Sequence, residues 1–132
     1  MRLYLDTSAI VKLVQKEVQS DALRRYLRRH RSDERMTSAL SRVEVVRAVQ
    51  SGGAPAVAKA HRQLARLHQV TLDTSLLDSA ASLAPGTFLR SLDAIHLASA
   101  QLVTADLRAV VTYDQRMATA ATAVGLTVAA PS

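Results

Sequence analysis

Arg2-Leu3-Tyr4-Leu5-Asp6-Thr7-Ser8-Ala9-Ile10-Val11-Lys12-Leu13-Val14 decides the fold. The four residues before Asp6 read as a short buried strand. Asp6-Thr7-Ser8 then leads directly into a helical run from Ala9 to Val14. No hairpin turn intervenes, so the acid stands at the carboxyl end of a strand that feeds a helix. The same order returns late in the chain: Ala109-Val110-Val111-Thr112-Tyr113 is a strand, Asp114 follows at once, and Gln115 to Val124 is helical until Gly125 closes it.

Between these two units the pattern keeps alternating. A weak strand around Arg35 to Ser38 precedes a helix from Ser41 to Gln50, which puts Glu44 one turn inside a third corner. Ser51-Gly52-Gly53 ends that helix, and Pro55 suits the first turn of the next, which runs to His68. Gln69 to Leu72 offers a short strand, and Asp73-Thr74-Ser75 caps a helix from Leu76 to about Leu83, stopped by Pro85-Gly86. Ser91 reads as the N-cap of a helix from Leu92 to about Val103, with Asp93 in its first turn. A second helix, Ser20 to His30, turns Leu23 and Leu27 inward and Arg24, Arg25, Arg28 and Arg29 outward. Leu126 to Ala129 is an edge strand.

Strands alternating with helices, without hairpin signals, predict an α/β three-layer sandwich with a short central parallel sheet. The helix that starts at Asp93 spans roughly 18 Å and the strand returning from it roughly 15 Å, so Asp93 and Asp114 come back to similar heights. In a parallel sheet Asp6, Glu44, Asp93 and Asp114 therefore face the carboxyl edge, where open α/β sheets hold ligands.

At 132 residues and 48% hydrophobic, the chain has apolar material for one core, and residues 1–132 are read as one domain. No apolar run approaches bilayer-spanning length, and Asp6 and Lys12 break the first one; the expectation is a soluble cytoplasmic protein with no membrane partner. Cysteine is absent, which removes disulfides, thiolate zinc sites and cysteine nucleophiles. Seventeen Lys and Arg against eleven Asp and Glu leave a charge of +6, which favours polyanions. With only Tyr4, Tyr26, Phe88 and Tyr113 aromatic, a base-stacking platform is poorly supplied.

Each acid alone has a plain structural use. Asp6 and Asp114 suit helix caps, and Glu44 can pair with Arg47 on a solvated face. Asp93 is different, because it heads Leu92-Asp93-Ala94-Ile95-His96-Leu97-Ala98-Ser99-Ala100, a helix apolar on nearly every side and therefore buried. A sheltered carboxylate is unfavourable unless paired or bound to a cation. His96, one turn on, has no second histidine at ligand spacing and reads as a core residue bonded to backbone. His30, His61 and His68 read as solvated. The arginines from Arg24 to Arg31 read as a solvated helix face, with phosphate contact as the alternative.

Together these segments resemble the PIN-domain family, and within it the VapC-type toxins of bacterial toxin-antitoxin pairs. The resemblance rests on Leu5-Asp6-Thr7-Ser8-Ala9, Ser41-Arg42-Val43-Glu44-Val45-Val46, Leu92-Asp93-Ala94-Ile95-His96-Leu97-Ala98, and Thr112-Tyr113-Asp114 before Gly125-Leu126. It implies a PIN-like fold and a Mg²⁺- or Mn²⁺-dependent endoribonuclease with Asp6, Glu44, Asp93 and Asp114 as its acidic, metal-holding site. It also implies an RNA substrate of the tRNA or rRNA class, a small antitoxin partner covering the site, and a homodimer. Some relatives carry a further acid after the last carboxylate, where this chain has Gln115, Arg116 and Met117.

Physically, several carboxylates crowded together repel each other and draw in a cation, and an all-oxygen set suits a hard divalent ion. Thr7, Ser8 and Thr112 are positioned to hold the carboxylates by hydrogen bonds. A haloacid-dehalogenase-type phosphatase needs a second Asp two residues after the first, where Ser8 stands. A phosphoacceptor receiver needs a late lysine, and Lys12, Lys16 and Lys59 are all early. The remaining alternative is a non-catalytic RNA- or protein-binding module whose acids merely cap helices.

Overall fold

The computed structural model describes residues 1–85 and 89–132. Among these residues five strands, β1 (Arg2–Leu5), β2 (Glu34–Ser38), β3 (His68–Val70), β4 (Leu107–Val111) and β5 (Val128–Ala129), form one sheet in the order β3-β2-β1-β4-β5. Every neighbouring pair is parallel. The first strand of the chain lies at the centre, and the strand order turns back between β1 and β4. The crevice at that reversal, beyond the carboxyl ends, is the usual ligand position of such sheets.

Among the described residues seven α-helices connect the strands: α1 (Thr7–Val14), α2 (Ser20–Arg29), α3 (Ser41–Val49), α4 (Gly53–Ala65), α5 (Thr74–Ala81), α6 (Ser91–Gln101) and α7 (Gln115–Ala123). Side chains along a strand alternate between faces, and the core divides accordingly. Leu3, Leu5, Ala109 and Val111 pack with Ile10 and Leu13 of α1, Leu23 and Leu27 of α2, Val45 and Val49 of α3, and Leu64 of α4. Tyr4, Met36 and Val110 point the other way, onto Leu97 and Ala100 of α6 and Met117, Ala120 and Ala121 of α7. Helix α5 joins that second layer through Leu76 and Ala80 against Ala94 and Ala98 of α6. The result is the expected three-layer α/β sandwich.

Several element ends differ from the sequence reading. The helix expected from Leu76 begins at Thr74, because the Asp73 side chain accepts from the Leu76 amide and sets the start two residues earlier. The strand expected from Gln69 to Leu72 is His68–Val70, paired to Met36–Ser38. Ser91 is not a cap: Arg90 holds the extended N-cap position and Ser91 is already helical. Helix α4 ends at Ala65 rather than His68, and α3 ends at Val49, leading through a 3₁₀ turn over Gln50–Gly52 into α4. Gly125 follows α7 at φ +83°, the left-handed backbone that ends a helix most readily at glycine. The stop signal at Pro85-Gly86 reaches past the described residues at Gly86.

The amino edge of the sheet is tied by charge. Arg108 on β4 donates through Nε to Asp33 Oδ2, and its Nη2 lies 3.3 Å from Oδ1. The amine of Met1 stands 3.3 Å from the same Oδ1. These bonds hold the buried Asp33 carboxyl below the usual range for an aspartate, against the effect of burial. No described helix is long and apolar enough to cross a membrane.

Candidate active site

Asp6, Glu44, Asp93 and Asp114, from four separate segments, line one cleft of about 460 Å³ at the carboxyl edge of the sheet. Lys12, Arg90 and His96 share its walls. Asp6 leaves β1 and caps α1, its Oδ1 accepting from the Ala9 amide at 3.1 Å. Asp114 leaves β4 and caps α7, its Oδ1 accepting from the amides of Arg116 and Met117 at 2.9 and 3.2 Å. Both acids thus serve as caps and also line the cleft. The two readings offered for them as alternatives are compatible.

Asp6 is almost wholly buried. Ser8 Oγ donates to Oδ1 at 2.6 Å and Thr112 Oγ1 to Oδ2 at 2.5 Å. Desolvation raises its pKa above the ordinary value, and the bonds from Ser8, Thr112 and the Ala9 amide offset this only in part. Ser8 also accepts from the Tyr113 amide at 2.9 Å, and Thr112 from that of Asp114 at 3.1 Å, so the strand ends of β1 and β4 are stitched at the acids themselves.

Glu44 does not pair with Arg47. Its Oε1 accepts from Thr7 Oγ1 at 2.7 Å and stands 2.7 Å from His96 Nε2. Burial would raise the Glu44 pKa, but the bonds from His96 and Thr7, with the charge of Arg90, bring it below the usual value. His96 corrects the sequence reading too. It is buried, but its partners are side chains rather than backbone: Nδ1 lies 2.7 Å from the Tyr4 hydroxyl. A carboxylate only accepts, so Nε2 carries the hydrogen toward Glu44 and Nδ1 receives that of Tyr4. Tyr4, His96 and Glu44 therefore form a line from the core into the cleft.

Asp93, also largely buried, is held by Arg90 Nε at 3.1 Å, while Arg90 Nη2 reaches Asp114 Oδ2 at 3.2 Å. One guanidinium thus spans two of the four acids. Lys12 is directed elsewhere, 3.2 Å from Glu17 and 4.8 Å from the centre of the Tyr113 ring. Arg90, Lys12 and the Tyr4–His96 line were not recognised in the sequence; an arginine just ahead of a buried helix that begins with an acid was the available signal for the first.

The expectation of tightly crowded carboxylates needs correction. Among the described residues no three Asp, Glu or His side chains form a ready-made cage for an ion. The carboxylates stand around the cleft walls, each already tied by hydroxyls, amides, His96 or Arg90. The donors are nevertheless carboxylate oxygens that meet positive charge, a set that fits a hard divalent cation. Mg²⁺ keeps several waters and commonly takes only one or two carboxylates, so it requires no closed cage.

Comparison with known proteins adds the lineage. The PIN domain matches residues 3–123. The chain is 51% identical to Ribonuclease VapC46 of Mycobacterium tuberculosis over 98% of both chains. It is 47% identical to Ribonuclease VapC35 and 38% identical to Ribonuclease VapC47 of the same species, in each case over 98% of this chain and 96% of the relative.

Proposed function

The chain belongs to the PIN-domain family and to its VapC branch, and from that premise we propose that it cuts RNA at the four-carboxylate cleft as the toxin of a toxin-antitoxin pair. The observation that carries this reading is the meeting of Asp6, Glu44, Asp93 and Asp114 in one cleft at the sheet's topological reversal. We read residues 1–132 as a single PIN domain.

In this reading Asp6 and Asp93 hold a divalent cation, and Glu44 and Asp114 complete its surroundings or orient the attacking water. Mg²⁺ or Mn²⁺ there would supply a more acidic water and neutralise charge growing on the scissile phosphate. The protein's own part is positional. Ser8 and Thr112 fix Asp6; Thr7 and His96 fix Glu44, whose lowered pKa favours the anion that can receive a hydrogen bond from the attacking water. The excess of arginine docks the RNA backbone around the acidic cleft. The substrate class is tRNA or rRNA, the partner is a small protein antitoxin that covers the cleft, and the working unit is a homodimer.

Asp93→Asn and Asp6→Asn should each lower RNA cleavage by roughly a hundredfold or more, the scale lost when a group stabilising transition-state charge is removed. The fold should stay intact by circular dichroism. Purified protein that binds RNA and never cuts it, with Mg²⁺ or Mn²⁺ supplied, would instead establish the binding module.

A further inference from the structure

Arg90 stands where arginine is least expected. It is the N-cap of α6, a position favoured by Ser, Thr, Asp and Asn, and its side chain makes no capping bond. The amino end of a helix carries partial positive charge, which repels a cation. Its location is explained by its partners, since Nε meets Asp93 Oδ2 and Nη2 meets Asp114 Oδ2, while its charge also acts on Glu44. Two of the four cleft acids therefore share one guanidinium and a third feels its charge, which it never gives up at physiological pH.

The oxygen inventory of Asp114 makes the contact consequential. Its Oδ1 already receives two backbone amides, and its Oδ2 receives Arg90. A cation approaching Asp114 must therefore compete with Arg90 for Oδ2. Arg90 itself is the most exposed member of the cluster, with 57% of its side chain accessible against 12% for Asp93 and 30% for Asp114. It can leave without opening the core.

We propose that Arg90 is a resident counter-ion of the cleft, which yields Asp93 and Asp114 to the divalent metal and, once released at the cleft mouth, grips a phosphate of the RNA. The proposal rests on the metal-dependent nuclease reading and adds an exchange between two cations. An arginine fork freed from carboxylates is suited to a phosphate in the same two-pronged manner.

The test is calorimetric titration of MnCl₂ into wild type, Arg90→Ala, Arg90→Lys and Asp93→Asn, without RNA. Removing the competitor should tighten Mn²⁺ binding in Arg90→Ala by roughly threefold to tenfold, the factor expected for two partly exposed ion pairs. Arg90→Lys should fall between it and wild type, and carries the test if the alanine variant does not fold. Anisotropy of a mixed-sequence phosphorothioate RNA should then show Arg90→Ala binding several-fold more weakly than wild type with Mn²⁺, and equally without it.

Unchanged or weaker Mn²⁺ binding on removal of Arg90, or an RNA deficit that ignores the metal, would overturn the exchange and leave the nuclease reading standing. If wild type shows no saturable Mn²⁺ binding that Asp93→Asn weakens, the nuclease reading falls and takes the exchange with it.

Discussion

Burial sets a cost on any charge carried by Asp6. A buried carboxyl whose pKa is raised favours the protonated form in the native state. Its penalty is absent below the unfolded value of about 3.9 and grows as pH rises through the higher folded value. In metal-free protein Asp6→Asn should therefore raise the melting temperature at pH 7, and that gain should vanish toward pH 3, while the same change removes cleavage. A melting temperature at pH 7 no higher than wild type would contradict the burial account. Asp6 and Asp114 were legible in the sequence because a cap is a local event, decided within three or four residues. Arg90 and His96 were not, because their partners are set by tertiary folding: Asp114 lies 24 residues from Arg90, and Tyr4 lies 92 from His96.

Helix α6 combines packing and positioning, and two substitutions separate them. Leu97 is wholly buried against the sheet, so Leu97→Ala should destabilise by about 2–5 kcal/mol in denaturant titration and leave the cleavage rate of the folded fraction nearly unchanged. Tyr4→Phe keeps the ring but strips the buried His96 Nδ1 of its donor, at a cost of about 1–3 kcal/mol. It should also slow cleavage, since His96 orients Glu44. Equal activity losses in the two variants, corrected for folding, would show that the line from Tyr4 to Glu44 is only structural. At this scale the sequence was read well for element type and less well for ends. The Ser91 signal misled because an ion-paired arginine holds the cap position, and α5 begins early because Asp73 reaches the Leu76 amide.

Across the whole molecule the charges divide between the two edges of the sheet. The carboxyl edge gathers Asp6, Glu44, Asp93 and Asp114, with Asp6 penalised by burial, whereas the amino edge carries Asp33, clasped by Arg108 and the Met1 amine. The depressed pKa of Asp33 has the opposite sign from that of Asp6. Its stabilisation is present above about 3.9 and is lost as pH falls through the lower folded value. Asp33→Asn should lower the melting temperature at neutral pH, with the gap to wild type closing in acid; a constant gap across pH would point to packing instead of charge. The parallel three-layer architecture was legible from alternation alone, but the Asp33 clasp joins residues 75 apart in sequence and left no local trace.

Strand β1 is made well before β4, yet the two lie side by side at the centre, and Thr112 from the later segment holds Asp6 from the earlier one. A nascent chain that has not yet released β4 and α7 from the ribosome has neither Thr112 nor Asp114 to offer. Until those segments emerge, Asp6 lacks the hydroxyl that Thr112 donates to it, and the cleft has only part of its wall.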